Sequence, residues 1–296
     1  MAANKFFTIS LLKEKSTYAT LLLSFTLILC SGIATIAQTK KNKHQIIAIN
    51  AAEISTGTNS KAIINVTIIN GLGGEPLTEG CVLIKDGKIQ EVGKMSDVSI
   101  PAAAEITDAS GMYLLPGFID SHFHLDRTKG LPAKFLQHGV TSIRDPGAWI
   151  ESYDEERKSG KKIPRLFLTG PHFDMPPPAY PYDAYIVRDN YEAIKQVNAL
   201  ADQGATALKI YFRVPPGMIQ AICSTAHQRG IPVTAHLEIT EAMIAIEAGL
   251  DGVEHITSFG LSLLPKREGE KYRQGMLADN NFRKPGRYNM WKDIDI

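Results

Sequence analysis

The sequence predicts an α/β protein in which parallel strands alternate with helices in a barrel, preceded by a small β domain. Three observations predict it. From Tyr113 onward short apolar runs alternate with helix-length stretches, the pattern of βαβ units. At Gly139, Gly204, Gly230 and Gly249 a glycine stands where a helix ends before the next strand, as helix C-termini prefer. Ahead of these, two apolar runs are joined by Asp86-Gly87, a strong hairpin signal.

Taken in order, the chain opens with Lys13 and Lys15 before an apolar run from Leu21 to Ile36 that ends in Thr35-Ile36-Ala37. This pattern predicts a signal peptide over residues 1–37, cut after Ala37, and a secreted or periplasmic product. A retained anchor is the alternative, but Ser24, Thr26, Ser31 and Gly32 interrupt a run already short for a spanning helix. Leu29 before Cys30 argues against a lipoprotein cysteine. Residues 38–60, with Lys40-Lys41-Asn42-Lys43 and a Ser/Thr/Gly/Asn stretch, read as a linker.

Residues 61–112 form the small β domain: Ile63 to Ile69, Cys81 to Ile84, and Lys88 to Val92 beyond the turn. The barrel strands are Tyr113 to Ile119, Val140 to Arg144, Arg165 to Thr169, Ala207 to Phe212, Pro232 to Ala235 and Gly252 to Glu254. Helices are predicted over Leu131 to His138, Tyr191 to Gln203, Gly217 to Arg229 and Thr240 to Ala248. The region 113–264 thus holds about six strand units, and residues 265–296 are a polar tail of helix and loop, solvated or an active-site flap.

Bulk properties exclude some functions. A net charge of +1 gives no footprint for nucleic acid, and no membrane contact is expected once the leader is removed. With Cys30 removed, Cys81 and Cys223 make no disulfide framework and are read as structural thiols.

The chemistry is concentrated at strand ends. His122 and His124 follow the first strand two residues apart, so their side chains share a face. Lys209 lies inside the apolar strand Ala207-Leu208-Lys209-Ile210-Tyr211, where burial would lower its pKa and leave a neutral amine able to capture carbon dioxide as a carbamate. The alternative is a lysine that reaches to water along its stem. His236 and His255 each end a strand, 27 residues beyond Lys209 and 19 beyond His236, about one βα unit apart. The five side chains can therefore converge at the C-terminal face of the strands, where barrel active sites lie.

Secondary candidates surround them. The loop Gly170 to Tyr180, with His172 and a run of prolines, is a substrate wall or a rigid surface loop. Tyr211 and Arg213 are candidates to hold a substrate carboxylate, and Arg144-Asp145 is a candidate ion pair. His44, His138 and His227 are read as surface histidines.

The segments Leu115-Pro116-Gly117-Phe118-Ile119-Asp120-Ser121-His122-Phe123-His124, Gly139-Val140-Thr141-Ser142-Ile143-Arg144-Asp145, Ala235-His236 and Glu254-His255 resemble the amidohydrolase superfamily. Within it they are most similar to imidazolonepropionase-like and prolidase-like hydrolases. The resemblance implies a (β/α)8 TIM-type barrel, here incomplete with about six strands, and a composite β-sandwich of which residues 61–112 supply the N-terminal half. It implies two divalent metal ions, one on His122 and His124, the second on His236 and His255, bridged by the Lys209 carbamate. Lys209, His236 and His255 would be catalytic as well as metal-binding. Zinc suits so many imidazoles, with manganese, iron or cobalt left open. The implied reaction is hydrolysis of a C–N bond in an amide, dipeptide or cyclic amide by metal-activated water. A small-molecule or dipeptide substrate is expected, and a homo-oligomer is left open.

One implied residue has no counterpart: the aspartate that closes the eighth strand. Only 41 residues follow His255, where two more units and a helix need about 60. Asp279, Asp293 and Asp295 lie in a polar stretch with no strand-forming run. A C-terminally truncated chain, inert but metal-binding, is therefore the alternative expectation, and a metal-free periplasmic binding module is a third.

Overall fold

The computed structural model describes residues 46–54, 57, 59–125 and 128–294. The leader expected over residues 1–37, His44 and Asp295 lie outside the described residues. Among the described residues no helix is long and apolar enough to cross a membrane.

The small β domain is a mixed sheet of β1 (Lys61–Ile68), β2 (Leu77–Lys85), β3 (Lys88–Lys94), β4 (Glu105–Asp108) and β5 (Tyr113–Leu114). Its order is β3-β2-β1-β4, with β5 also on β1. Asp86 and Gly87 turn β2 into β3 with φ of 50° and 69°, the positive pair that a two-residue hairpin needs. A bulge in β1, with Asn65 at φ 58°, resets the alternation of its side chains. Ala62 therefore joins Cys81 and Leu83 on one face, while Val66 and Ile68 join Val82 on the other. Among the described residues this domain is a single sheet; the second layer of the expected sandwich is not among them.

The expected first barrel strand is divided. Tyr113–Leu114 completes the small sheet, and the barrel starts at β6 (Phe118–Asp120). Pro116 has no N–H for a ladder, which separates the two pieces. Parallel pairing continues through β7 (Val140–Asp145) to β8 (Arg165–Leu168). The chain then bends at Gly170, whose φ of 71° and contact with Leu200 admit no side chain, and resumes as β9 (His172–Asp174). Two halves of one strand result: β8 pairs with β7, and β9 pairs with β11 (Leu208–Ile210). Between them in sequence, β10 (Ala184–Ile186) adds a parallel strand beside β9 that the periodicity does not reveal. β12 (Val233–Ala235) and β13 (Gly252–Val253) follow in parallel.

The helices are α1 (Leu131–Gln137), α2 (Asp154–Lys158), α3 (Asn190–Asp202), α4 (Pro216–Gln228), α5 (Ala242–Glu247), α6 (Gly260–Leu263), α7 (Lys266–Ala278) and α8 (Asn280–Asn289). α3, α4 and α5 bury small and aliphatic residues such as Ala193, Val197, Ile219, Ile222 and Ala245 in the core with strand residues Leu166, Leu208 and Val233. Cys223 lies in this core, and both described cysteines are free and buried.

Two segments differ from their expected character. Residues 46–54, read as linker, dock on the barrel: Ile49 N–H donates to Leu166 O at 2.9 Å, and buried Asn50 bonds Pro164 O and Leu166 N–H. An asparagine can satisfy a strand end in this way while looking like loop chemistry in sequence. The polar tail is not merely solvated. Its helices bury Met276 and Arg283, and Met290 beyond them packs with Leu261 and Leu264.

Candidate active site

Five strand-end residues define one cavity of about 470 Å³, lined by His122, His124, Lys209, His236 and His255. They come from four strand ends: His122 and His124 just past β6, Lys209 within β11, His236 past β12 and His255 past β13. The loop that carries the first pair is held by Phe123 N–H to Arg144 O and by Leu125 N–H to the buried Asp145 carboxylate. His122 and His124 turn their Nε2 atoms toward one another at 3.1 Å. His255 meets His122 and His236 with ring centroids 4.5 and 4.9 Å apart. It does so from a backbone φ of 61°, a conformation an imidazole rarely adopts and one that strain-bearing sites retain.

Lys209 is only 3% exposed. Its Nζ lies 3.5 Å from Glu254 Oε1, and burial lowers its pKa to about 8 despite that carboxylate. The strand-lysine reading in which the amine reaches water is therefore set aside. Burial likewise lowers the pKa of His124, His236 and His255, the last to about 4, with neighbouring cations adding to the effect. Neutral imidazoles result, the form that binds metal.

Two carboxylates that the sequence reading left without a role organise the ring. Glu254 accepts from Arg144 Nη2 at 2.5 Å and lies 2.7 Å from His122 Nδ1. Burial alone would raise its pKa, but the His122 contact and the Lys209 and Arg144 charges overcome this and hold it well below the usual carboxylate range. Glu238 lies 2.6 Å from His236 Nε2 and also receives Arg283 Nη1 at 2.8 Å and Arg287 Nη1 at 3.2 Å. Both arginines come from α8, in the tail.

Of the secondary candidates, His172, Tyr180 and Tyr211 line the cavity. His172 is buried and its Nε2 finds no hydrogen-bond partner among the described residues. Arg213 does not line it: its guanidinium stacks on Phe212 and bonds Pro177 O and Asn280 Oδ1, tying the proline loop to α8. Arg144 and Asp145 do not pair with each other. As neighbours on a strand they face opposite ways, Arg144 toward Ser121 O, Thr234 and Glu254, and Asp145 toward Tyr153 OH and the Leu125, Gly147 and Ala148 amides. Asp279 caps α8 through Asn281 N–H, and Asp293 accepts from Tyr272 OH. Among the described residues no three His, Cys, Asp or Glu groups stand close enough to chelate a cation as they are.

The donor set nonetheless fits a metal. Glu254 occupies His122 Nδ1 and leaves Nε2 toward His124, while Glu238 occupies His236 Nε2 and leaves Nδ1. Carboxylates that fix one ring nitrogen and free the other are the usual outer partners of metal-binding histidines.

Comparison with known proteins identifies the family. The model of the amidohydrolase family matches residues 113–267. The chain belongs to that family. Adenine deaminase of Listeria welshimeri is 40% identical over 85 residues, covering 27% of this chain and 14% of the deaminase. N-acetylglucosamine-6-phosphate deacetylase of Lysinibacillus sphaericus is 26% identical over 223 residues, 67% of this chain and 56% of the deacetylase. A solved structure of a putative prolidase from Bifidobacterium longum superposes with TM-score 0.57 at 23% identity, over 79% of this chain and 68% of that one. These matches span only part of the relatives' lengths, and the structural likeness establishes for this amidohydrolase an α/β, TIM-like fold built on parallel strands.

Proposed function

We propose that this amidohydrolase acts on a C–N bond of an amide, dipeptide or cyclic amide, with a pair of divalent metal ions, most suitably zinc, held by His122, His124, Lys209, His236 and His255. The observation that carries the reading is the convergence of those five side chains from four strand ends on one cavity. Bound there, the metal pair would supply Lewis acidity that polarises a carbonyl and makes water nucleophilic near neutral pH.

The chain's own groups have the following roles. Glu254 orients His122, which ties the first strand end to the last, and also engages Arg144 of β7 and Lys209 of β11. Lys209, buried with a neutral form accessible, is the amine to carry a carbamate: its nitrogen bonds the carbon of CO2 and releases one proton. Glu238 orients His236. His172 and Tyr211 line the cavity with their rings against one another, centroids 4.5 Å apart, and we assign them to its substrate wall. From the leader pattern expected over residues 1–37, we propose that the mature protein lies outside the cytoplasm.

A second reading is a metal-binding chain without turnover. The observation that bears on it is that, among the described residues, Asp279 caps a helix and Asp293 accepts from Tyr272 OH, so neither stands at the cavity. Hydrolysis screened over a panel of dipeptides, linear amides and cyclic amides separates the two. The first reading predicts turnover that is lost on chelation and in His236→Ala. Metal retained with no turnover across the panel selects the second.

A further inference from the structure

We infer that Arg287 grips the anionic end of the substrate, so that the site prefers amides bearing a free carboxylate near the scissile bond over neutral ones. The inference rests on the hydrolase reading and deepens it.

Arg287 reaches the cavity from outside the parallel strands, carried by α8. Its Nη1 lies 3.2 Å from both His236 Nε2 and Glu238 Oε1, so the guanidinium stands at the β12 end of the ligand ring. The neighbouring Arg283 has a different position. It is wholly enclosed, donates to Glu238 at 2.8 Å, reaches the hydroxyls of Tyr211 and Tyr180, and stacks over Tyr180, Tyr211 and Phe212. Arg283 is thus the structural partner of Glu238, and Arg287 has only a third share of that carboxylate, after His236 and Arg283.

The remaining charges around the cavity do not neutralise Arg287. Glu254 is engaged by His122, Arg144 and Lys209. Asp183 lines the cavity beside the third strand, where its carbonyl accepts from His172 N–H. Asp145 is buried beneath the loop that holds His124, 3.8 Å from its Nδ1, and is engaged by Tyr153 OH and the Leu125, Gly147 and Ala148 amides. A guanidinium carries five N–H donors in a planar fork. Arg287 uses Nη1 on Glu238 and Nη2 on Tyr288 OH, while its buried Nε has no partner. Such a fork matches a carboxylate through two parallel hydrogen bonds, and a neutral amide cannot replace that acceptor. Arg213, the arginine that its place after Lys209 makes a candidate for this task, is turned away onto Pro177 and Asn280.

The test uses the whole chain with metal loaded. Kinetics are measured on a dipeptide with a free C-terminus and on the same dipeptide amidated at its C-terminus. In parallel, calorimetry measures binding of N-acetyl-L-alanine and of its methylamide. Wild type should favour the acid of each pair about 10-fold or more, the scale of a charged hydrogen-bonded pair. Arg287→Gln should collapse that preference mainly through KM, and Arg287→Lys should restore part of it, because charge returns without the fork. Equal handling of acid and amide by wild type, or an unchanged acid-to-amide ratio in folded Arg287→Gln, overturns the inference. Absence of turnover on every substrate would instead overturn the hydrolase reading, and the binding preference still decides the role of Arg287.

Discussion

Glu254 Oε2 lies 2.7 Å from His122 Nδ1, a contact that joins the first and last parallel strand ends across 132 residues of chain. The same carboxylate receives Arg144 and stands 3.5 Å from Lys209. It is the group on which the geometry of the proposed metal site depends.

Glu254→Gln keeps the shape but removes the charge that orients His122 and offsets Lys209. Metal affinity should fall by about 10- to 100-fold, the usual effect of losing an outer-shell carboxylate. Competition against a chelating dye measures it. Unchanged affinity would show that Glu254 only braces the fold.

His172 gives a pH signature. Burial, with Lys209 and other cations, lowers its pKa to about 3, so the folded chain refuses a proton that the unfolded chain accepts near pH 6.5. Its contribution is therefore present above that pH and is lost as pH falls toward 3. Between pH 7 and pH 5 the wild type should lose about 2 kcal/mol of stability that His172→Gln does not. Urea unfolding at the two pH values checks this; parallel losses would contradict it.

Burial raises the thiol pKa of Cys223 to about 12, and burial also raises that of Cys81. Both should resist iodoacetamide in the native protein and react on unfolding, since the thiolate is the nucleophile. Peptide mapping by mass spectrometry reads each site. Rapid native labelling of Cys223 would mean that the core under α4 opens.

Apolar residues are exposed on both sides of the edge strand β6, Phe118 at 60% and Ile119 at 73%, and in the segment before it at Leu115 and Tyr113. Among the described residues no strand pairs with the outer side of β6. Such an edge promotes association. Sedimentation velocity should show concentration-dependent association of this chain, reduced in Ile119→Lys. A monomer at every concentration would contradict the prediction.

Much of this was legible in the sequence, for definite reasons. Strands such as Val140–Asp145 and helices such as Asn190–Asp202 announce themselves through a glycine that ends the helix, Gly139 before the strand and Gly204 after the helix. The ligand candidates were legible because each stands at or within a strand end, where direction is fixed by alternation. The continuation of the third strand beyond Gly170 was not, because Thr169-Gly170-Pro171 reads as the end of a strand and the start of a loop. Nor were Glu238, Glu254 and Arg287. A charged residue just past a strand or in a polar helix looks like surface in sequence, and only the convergence of distant strand ends and α8 places these three around one cavity.

The most direct test of the central claim is the metal content of the purified chain by mass spectrometry, for wild type and for His122→Ala with His124→Ala. The account predicts about two divalent ions per wild-type chain, as a two-metal site requires, and loss of at least one in the double variant. A wild-type chain that stays metal-free after incubation with zinc, manganese or cobalt would contradict it.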